Sequence, residues 1–147
     1  MTSNIIKIRD ADPGDISALT FLVNELGYKT TADEMALRFR DIHHHTDHRT
    51  FIATINDTVA GMLGAMKQFS YQQNGYYVRI IAFVTHPLFR QMGAGKKLIE
   101  AVEQWANELS ANSVLVNCGN REERTKAHQF YKQAGFDIRS SGYVKKL

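Results

Sequence analysis

The stretch Ile81–Leu109, IAFVTHPLFRQMGAGKKLIEAVEQWANEL, decides the fold. It begins as an apolar run of strand type, turns after Pro87 and passes through the loop Arg90-Gln91-Met92-Gly93-Ala94-Gly95. Leu98, Val102, Trp105 and Leu109 then follow at alternating four- and three-residue steps, which predicts a long amphipathic helix with one buried face. Gly93 and Gly95 remove side chains at the junction, so an anion can approach the backbone there. The first N–H groups of a helix have no internal partners and carry the positive end of its dipole. Arg90, Lys96 and Lys97 add full positive charges beside them. The stretch reads as a strand–loop–helix that holds a phosphate or pyrophosphate. Taken alone, it is also compatible with a glycine-rich turn that simply starts a helix.

Two nucleotide-binding loops do not fit. A P-loop needs glycine where Arg90 stands and a hydroxyl where Lys97 stands. A dinucleotide fingerprint needs a third glycine at the position of Leu98.

Working outward, Val78–Val84 is nearly all apolar, as a central strand covered on both faces would be. Upstream, Phe51–Ile55 and Thr58–Phe69 flank Asn56-Asp57, a hairpin signal, and Gly61 and Gly64 permit bending or close approach. Nearer the start, Ile5–Arg9 predicts a short strand. Asp12 and Pro13 then open a helix that carries Ile16, Leu19, Val23 and Leu26 and closes at Gly27. Thr31 and Glu34 form a capping-box pattern for a second, partly exposed helix with Met35, Leu37, Phe39 and Ile42. His43–His48 holds four histidines and an aspartate; it reads as a polar connecting loop rather than a metal site, because adjacent residues seldom converge on one ion. Downstream, Ser113–Cys118 predicts a strand parallel to the central one after the helical crossover. A last helix contains Ala127–Tyr131, Gly135 caps it, and strands follow from Phe136 and at Tyr143-Val144. The order predicts one α/β domain over residues 1–147, with a mixed, splayed central sheet and helices on both faces.

Composition narrows the function. The apolar fraction of 44% and charged fraction of 22% are those of a globular chain, and no run is long enough to span a membrane. The single cysteine, Cys118, excludes an internal disulfide framework and fits a reducing cytoplasm. Net charge is +3, too small and too scattered for nucleic-acid binding.

Arg90-x-x-Gly93-x-Gly95, preceded by Val84-Thr85-His86-Pro87, resembles the acetyl-CoA loop of the GNAT superfamily of N-acetyltransferases. Ala127-x-x-Phe130-Tyr131-x-x-x-Gly135-Phe136 resembles the family's closing segment and lies one helix and one strand further on, so the likeness covers nearly the whole chain. The ending Arg124-x-x-Ala127-His128-x-Phe130-Tyr131 is similar to a branch of small-molecule enzymes that includes aminoalkylphosphonate N-acetyltransferases. The resemblance implies acetyl-CoA as co-substrate, with no metal, and acetylation of a small primary amine. A protein N-terminus or lysine as acceptor remains open, as does a non-catalytic acyl-CoA-binding module. A homodimer is compatible with the family.

The resemblance also assigns roles. Arg90, Gln91, Met92, Gly93, Ala94, Gly95 and Lys96 would hold pyrophosphate, and Phe83, Val84 and Thr85 would lie along pantetheine on a bulged strand. A backbone N–H at Val84 or an immediate neighbour would stabilise the oxyanion, and Tyr131 would protonate the departing thiolate. Asn117 or Asn120 would contact the cofactor, where Arg124 replaces the asparagine of many relatives. Many relatives place a glutamate base where this chain has Ile81, so the proton acceptor stays open among another carboxylate, His86, His128, a bound metal and solvent. Cys118 reads as a buried strand-end thiol rather than a nucleophile. Arg38, Arg40 and the His43–Arg49 region would offer cationic groups to an acceptor bearing an anion.

Overall fold

The computed structural model describes residues 4–117, 125–138 and 143–147. The chain groups into two compact units, Met1–Leu115 and Val116–Leu147. Strand β1 (Ile6–Asp10) leads through a tight turn, Pro13–Asp15, into α1 (Ile16–Leu26), followed by α2 (Ala32–His44). Strands β2 (His48–Ile55), β3 (Thr58–Phe69) and β4 (Tyr76–Thr85) come next, then α3 (Ala94–Glu108), β5 (Val114–Val116) and α4 (Thr125–Gln133).

The sheet order is β1-β2-β3-β4-β5, and the first four strands pair antiparallel. Beside β4, the Tyr76 carbonyl accepts from Asn112 N–H at 2.8 Å, and Val78 N–H donates to the Ser113 carbonyl at 2.9 Å. Both contacts advance in the same chain direction, so β5 arrives parallel to β4 and the sheet is mixed.

Side-chain alternation puts helices on both faces of the sheet. Ile52, Met62 and Val84 pack with Leu19 and Leu22 of α1 and Met35 and Phe39 of α2. Phe51, pointing the other way, meets the Trp105 ring of α3 at 6.3 Å. Leu98 and Val102 of α3 are fully buried, each contributing about 1.5–3 kcal/mol. Gly61 permits this approach, because a Cβ there would stand 3.0 Å from the Val84 carbonyl oxygen and 3.4 Å from Leu98 Cδ1.

Local chemistry sets the boundaries. Asp12 and Asp15 form a reciprocal capping box at the entry to α1, and Gly27 ends that helix in the left-handed region at φ 109°. The Thr31 side chain accepts from Glu34 N–H at 3.2 Å, while the Glu34 carboxylate pairs with Arg38. Asn56 and Asp57 take φ values of 50° and 69°, as a two-residue hairpin requires.

Three expectations need correction. His43–His48 is a connecting loop only over 45–47: His43 and His44 complete the last turn of α2, and His48 begins β2. The bulge in β4 lies upstream of Phe83–Thr85. Gly64 opposes Ala82 and Ala65 opposes Ile80, so Ile81 is the extra residue. In the second unit, 136–138 and 143–147 do not form strands. There α4 ends at Gly135, φ 93°, with Phe136 N–H donating to the Tyr131 carbonyl at 2.9 Å.

Candidate active site

The end of β4 and the start of α3 are joined by a rigid bend. His86 Nδ1 accepts from Leu88 N–H at 3.1 Å, the His86 backbone N–H donates to the Ala60 carbonyl at 2.7 Å, and the imidazole stacks on Phe21 at 4.6 Å. Nδ1 of His86 thus caps the short turn at Pro87–Phe89.

The loop that follows places Gln91 at φ 63° and Gly93 at φ 98°. Such left-handed residues in a short loop turn backbone N–H groups towards one concavity. Gly93 is the N-cap of α3 and provides no side-chain cap, so the first N–H groups stay unused by side chains. The first turn of α3 holds no acidic residue. Ala94 is buried and anchors the helix start, while Arg90, Gln91 and Lys96 are exposed around it. Among the described residues Arg90 and Lys96 have no carboxylate partner; Lys97 lies 3.5 Å from Glu100, an exposed pair worth little. Uncapped donors, the helix dipole and two unpaired cations make a site suited to a pyrophosphate.

Along β4, Phe83 and Thr85 are half-buried and Val84 is buried against α1 and α2. These three residues oppose Leu63, Gly61 and Met62 on the β3 side. On the other side β5 has only 3 residues against the 10 of β4, so the last part of β4 has no described strand neighbour there.

A cavity of about 90 Å³ opens between α1, α2 and the bulged part of the sheet. Its walls include Leu19, Val23, Met35, Phe39, Ile81 and Ala82. Ile81 is 43% exposed, because the bulge lifts it out of the ladder and into this space. His48 forms part of the wall; its Nδ1 is buried, and burial pushes the imidazole below its ordinary pKa. In the sequence Leu19, Val23, Met35 and Phe39 stood out only as helix faces, His48 as part of a histidine run and Ile81 as a missing glutamate. The available signal was the shared face of His48, Thr50 and Ile52 at a two-residue period.

Of the cationic groups expected near an anionic acceptor, His48 and Arg49 border the cavity, while Arg38 and Arg40 are engaged elsewhere. Arg38 donates to Thr30 Oγ1 at 2.7 Å and pairs with Glu34 at 3.2 Å, and Arg40 lies 3.8 Å from Asp41 on the surface. Among the described residues no group of three or more metal-ligating side chains is placed to hold an ion. His43 instead stacks on Phe39 at 5.0 Å and His45 meets His48 edge-on at 4.7 Å.

In the second unit, Tyr131 is buried, with its ring 5.8 Å from Phe130 and 5.7 Å from Phe136. Asn117 is exposed just after β5. Cys118, Asn120 and Arg124 lie outside the described residues.

A sequence model of the acetyltransferase (GNAT) family matches residues 16–136. No protein of curated function matches in sequence. Among solved structures, a GNAT family acetyltransferase from Staphylococcus aureus is 29% identical, with a TM-score of 0.82 over 97% of this chain and 98% of that one. Glucosamine-6-phosphate N-acetyltransferase from Arabidopsis thaliana is 21% identical, with a TM-score of 0.82 over 97% and 98% of the two chains. The aminoglycoside N-acetyltransferase AAC(6')-Iy, in complex with CoA, is 22% identical, with a TM-score of 0.83 over 99% and 98%.

Proposed function

The chain belongs to the acetyltransferase (GNAT) family, and from that premise we propose that it acetylates the primary amine of a small molecule by direct attack on acetyl-CoA. Acetyl-CoA-dependent acetyl transfer is the activity of the family. The small acceptor is supported above all by the cavity of about 90 Å³ against Ile81 and Ala82, a few residues along β4 from Val84. A concave space of that size, lined by hydrocarbon, suits part of a small molecule.

The residue roles belong to the same reading, with residues 1–147 acting as one catalytic domain in the cytoplasm. Residues Arg90 to Lys96 bind the pyrophosphate, the backbone of Phe83 to Thr85 lies along pantetheine, and Asn117, Asn120 and Arg124 add cofactor contacts. The amine nitrogen forms a bond to the thioester carbonyl carbon while Val84 N–H steadies the developing oxyanion. The C–S bond then breaks, and the thiolate takes a proton from Tyr131, which solvent reprotonates. The amine proton leaves to solvent, since Ile81 has no basic group and His86 Nδ1 is held by Leu88 N–H. Release of CoA should be measured across a panel of small amines and of peptides with free N-termini or lysines. Turnover of the amines with inert peptides is the expected result; the reverse would move the acceptor to proteins.

A further inference from the structure

The cavity beside β4 presents hydrocarbon rather than charge. Its walls are hydrocarbon from Leu19, Val23, Met35, Phe39, Ile81 and Ala82, with no carboxylate among them. Two ionisable residues border it, and neither offers it a charge. Arg49 spends its guanidinium on Asp10, with Nε 2.8 Å from the carboxylate, and lies over the Phe51 ring at 4.6 Å. Burial and the neighbouring His45 push His48 below its ordinary pKa, against a weaker opposing pull from Asp47, and its Nδ1 is buried. An ion placed among these walls would lose its hydration without gaining a partner.

Size adds a second constraint. An apolar cavity of 150 Å³ holds a benzene molecule, so the about 90 Å³ here suits a hydrocarbon arm somewhat smaller than a benzene ring. The cavity is also continuous with the bulge at Ile81, close in sequence to Val84.

Resting on the reading of a small-amine acceptor, we propose that the cavity selects primary amines with an uncharged, apolar body of roughly four carbons, and rejects anionic and polycationic amines. The hydrocarbon arm fills the space beneath α1 and α2, and the nitrogen is left at the β4 end where the thioester is attacked. Gly64 and Ile81 set the depth. A Cβ added at Gly64 would stand 3.7 Å from Ile81 Cγ1, 3.8 Å from Ala82 Cβ and 3.9 Å from Met62 Cε, so alanine is accommodated and takes up part of the space.

The test compares ethylamine, propylamine, butylamine, hexylamine, 2-aminoethylphosphonate and spermidine by CoA release at saturating acetyl-CoA. The expected result is a rise in kcat/KM of about fourfold per methylene up to butylamine, a plateau or fall at hexylamine, and poor use of the phosphonate and the polyamine. Gly64→Ala should move the optimum to a shorter chain and Ile81→Ala to a longer one, with acetyl-CoA affinity by calorimetry unchanged in both. Turnover without a chain-length preference, or best with the phosphonate or polyamine, overturns the inference, makes the cavity a packing gap only, and leaves the small-amine reading standing. Acetyl-CoA binding without turnover of any amine overturns that reading, and this inference falls with it.

Discussion

Gly93 holds φ at 98°, and a Cβ there would stand 3.4 Å from Ile6 Cδ1. Only glycine occupies this conformation without strain, so Gly93→Ala should cost about 1–3 kcal/mol, read as a lower Tm. Gly93→Glu adds a negative charge at the end of α3 where the dipole is positive, and acetyl-CoA binding measured by calorimetry should be lost. Retained affinity in a folded Gly93→Glu protein would move the cofactor elsewhere. Tyr131 is buried between aromatic rings, so Tyr131→Phe keeps the packing and removes the hydroxyl. Turnover should fall by about ten- to a thousandfold, with acetyl-CoA affinity little changed; wild-type turnover would leave Tyr131 a packing residue. His48 titrates below the ordinary histidine value because it is desolvated. Its unfolded form therefore binds a proton more readily than its folded form, and folding stability drops as pH falls through about 6.5 towards the lower folded value. His48→Asn should flatten that part of the Tm profile between about pH 7.5 and 5.5, where the imidazole titrates; parallel profiles would show that His48 carries none of it.

At the scale of an element, the entry to α1 shows how a short sequence signal becomes a measurable energy. Asp15 accepts from Arg9 Nη1 and Nη2 at 2.8 Å each and from Asp12 N–H at 2.9 Å, and the Arg9 guanidinium holds its carboxyl below the usual carboxylate range. A depressed folded pKa gives stability that is fully present above the unfolded value, about 3.9, and lost as pH falls through the folded one. Asp15→Asn should lower stability by about 1.5–3 kcal/mol at neutral pH, and its difference from wild type in urea unfolding should shrink below about pH 4. A constant difference would assign the loss to packing. Asp12, Pro13, Gly27, Asn56 and Asp57 were legible in the sequence because each acts through its own backbone geometry. The two-residue hairpin and the start of α3 were legible for the same reason. The ends of His43–His48 were misread because a polar run has the composition of a loop, while the bounds of α2 and β2 are set from outside. His48 opposes Met66 in the β2–β3 ladder, and Asp47 accepts from Lys67 N–H at 2.8 Å. The bulge at Ile81 was hidden for a related reason. Within an apolar strand covered on both faces no alternation marks the register, which only pairing with β3 fixes. The anion loop could therefore be read from its own residues. The cavity joins α1, α2, β2, β3 and β4, so the element order gave its neighbourhood but its lining followed only from how those elements pack.

For the whole molecule, charge and apolar surface divide the two substrates. The net charge of +3 is modest, but Arg90, Lys96 and Lys97 stand together at the start of α3. The cavity beneath α1 and α2 presents hydrocarbon instead. Binding of the polyanionic acetyl-CoA should accordingly depend on salt, because exposed charges are screened beyond the Debye length, about 10 Å at 0.1 M and about 3 Å at 1 M. Transfer of a hydrocarbon arm out of water has no such term. Between about 0.1 and 1 M sodium chloride, the acetyl-CoA dissociation constant should rise about tenfold, while kcat/KM for butylamine at saturating acetyl-CoA should change by less than about twofold. The same salt series in Lys96→Ala with Arg90→Ala should show a smaller rise in the dissociation constant. If both substrates weakened together, the cavity would owe its affinity to charge. If neither did, the cations around the loop would be ornaments of the surface rather than its means of holding the cofactor.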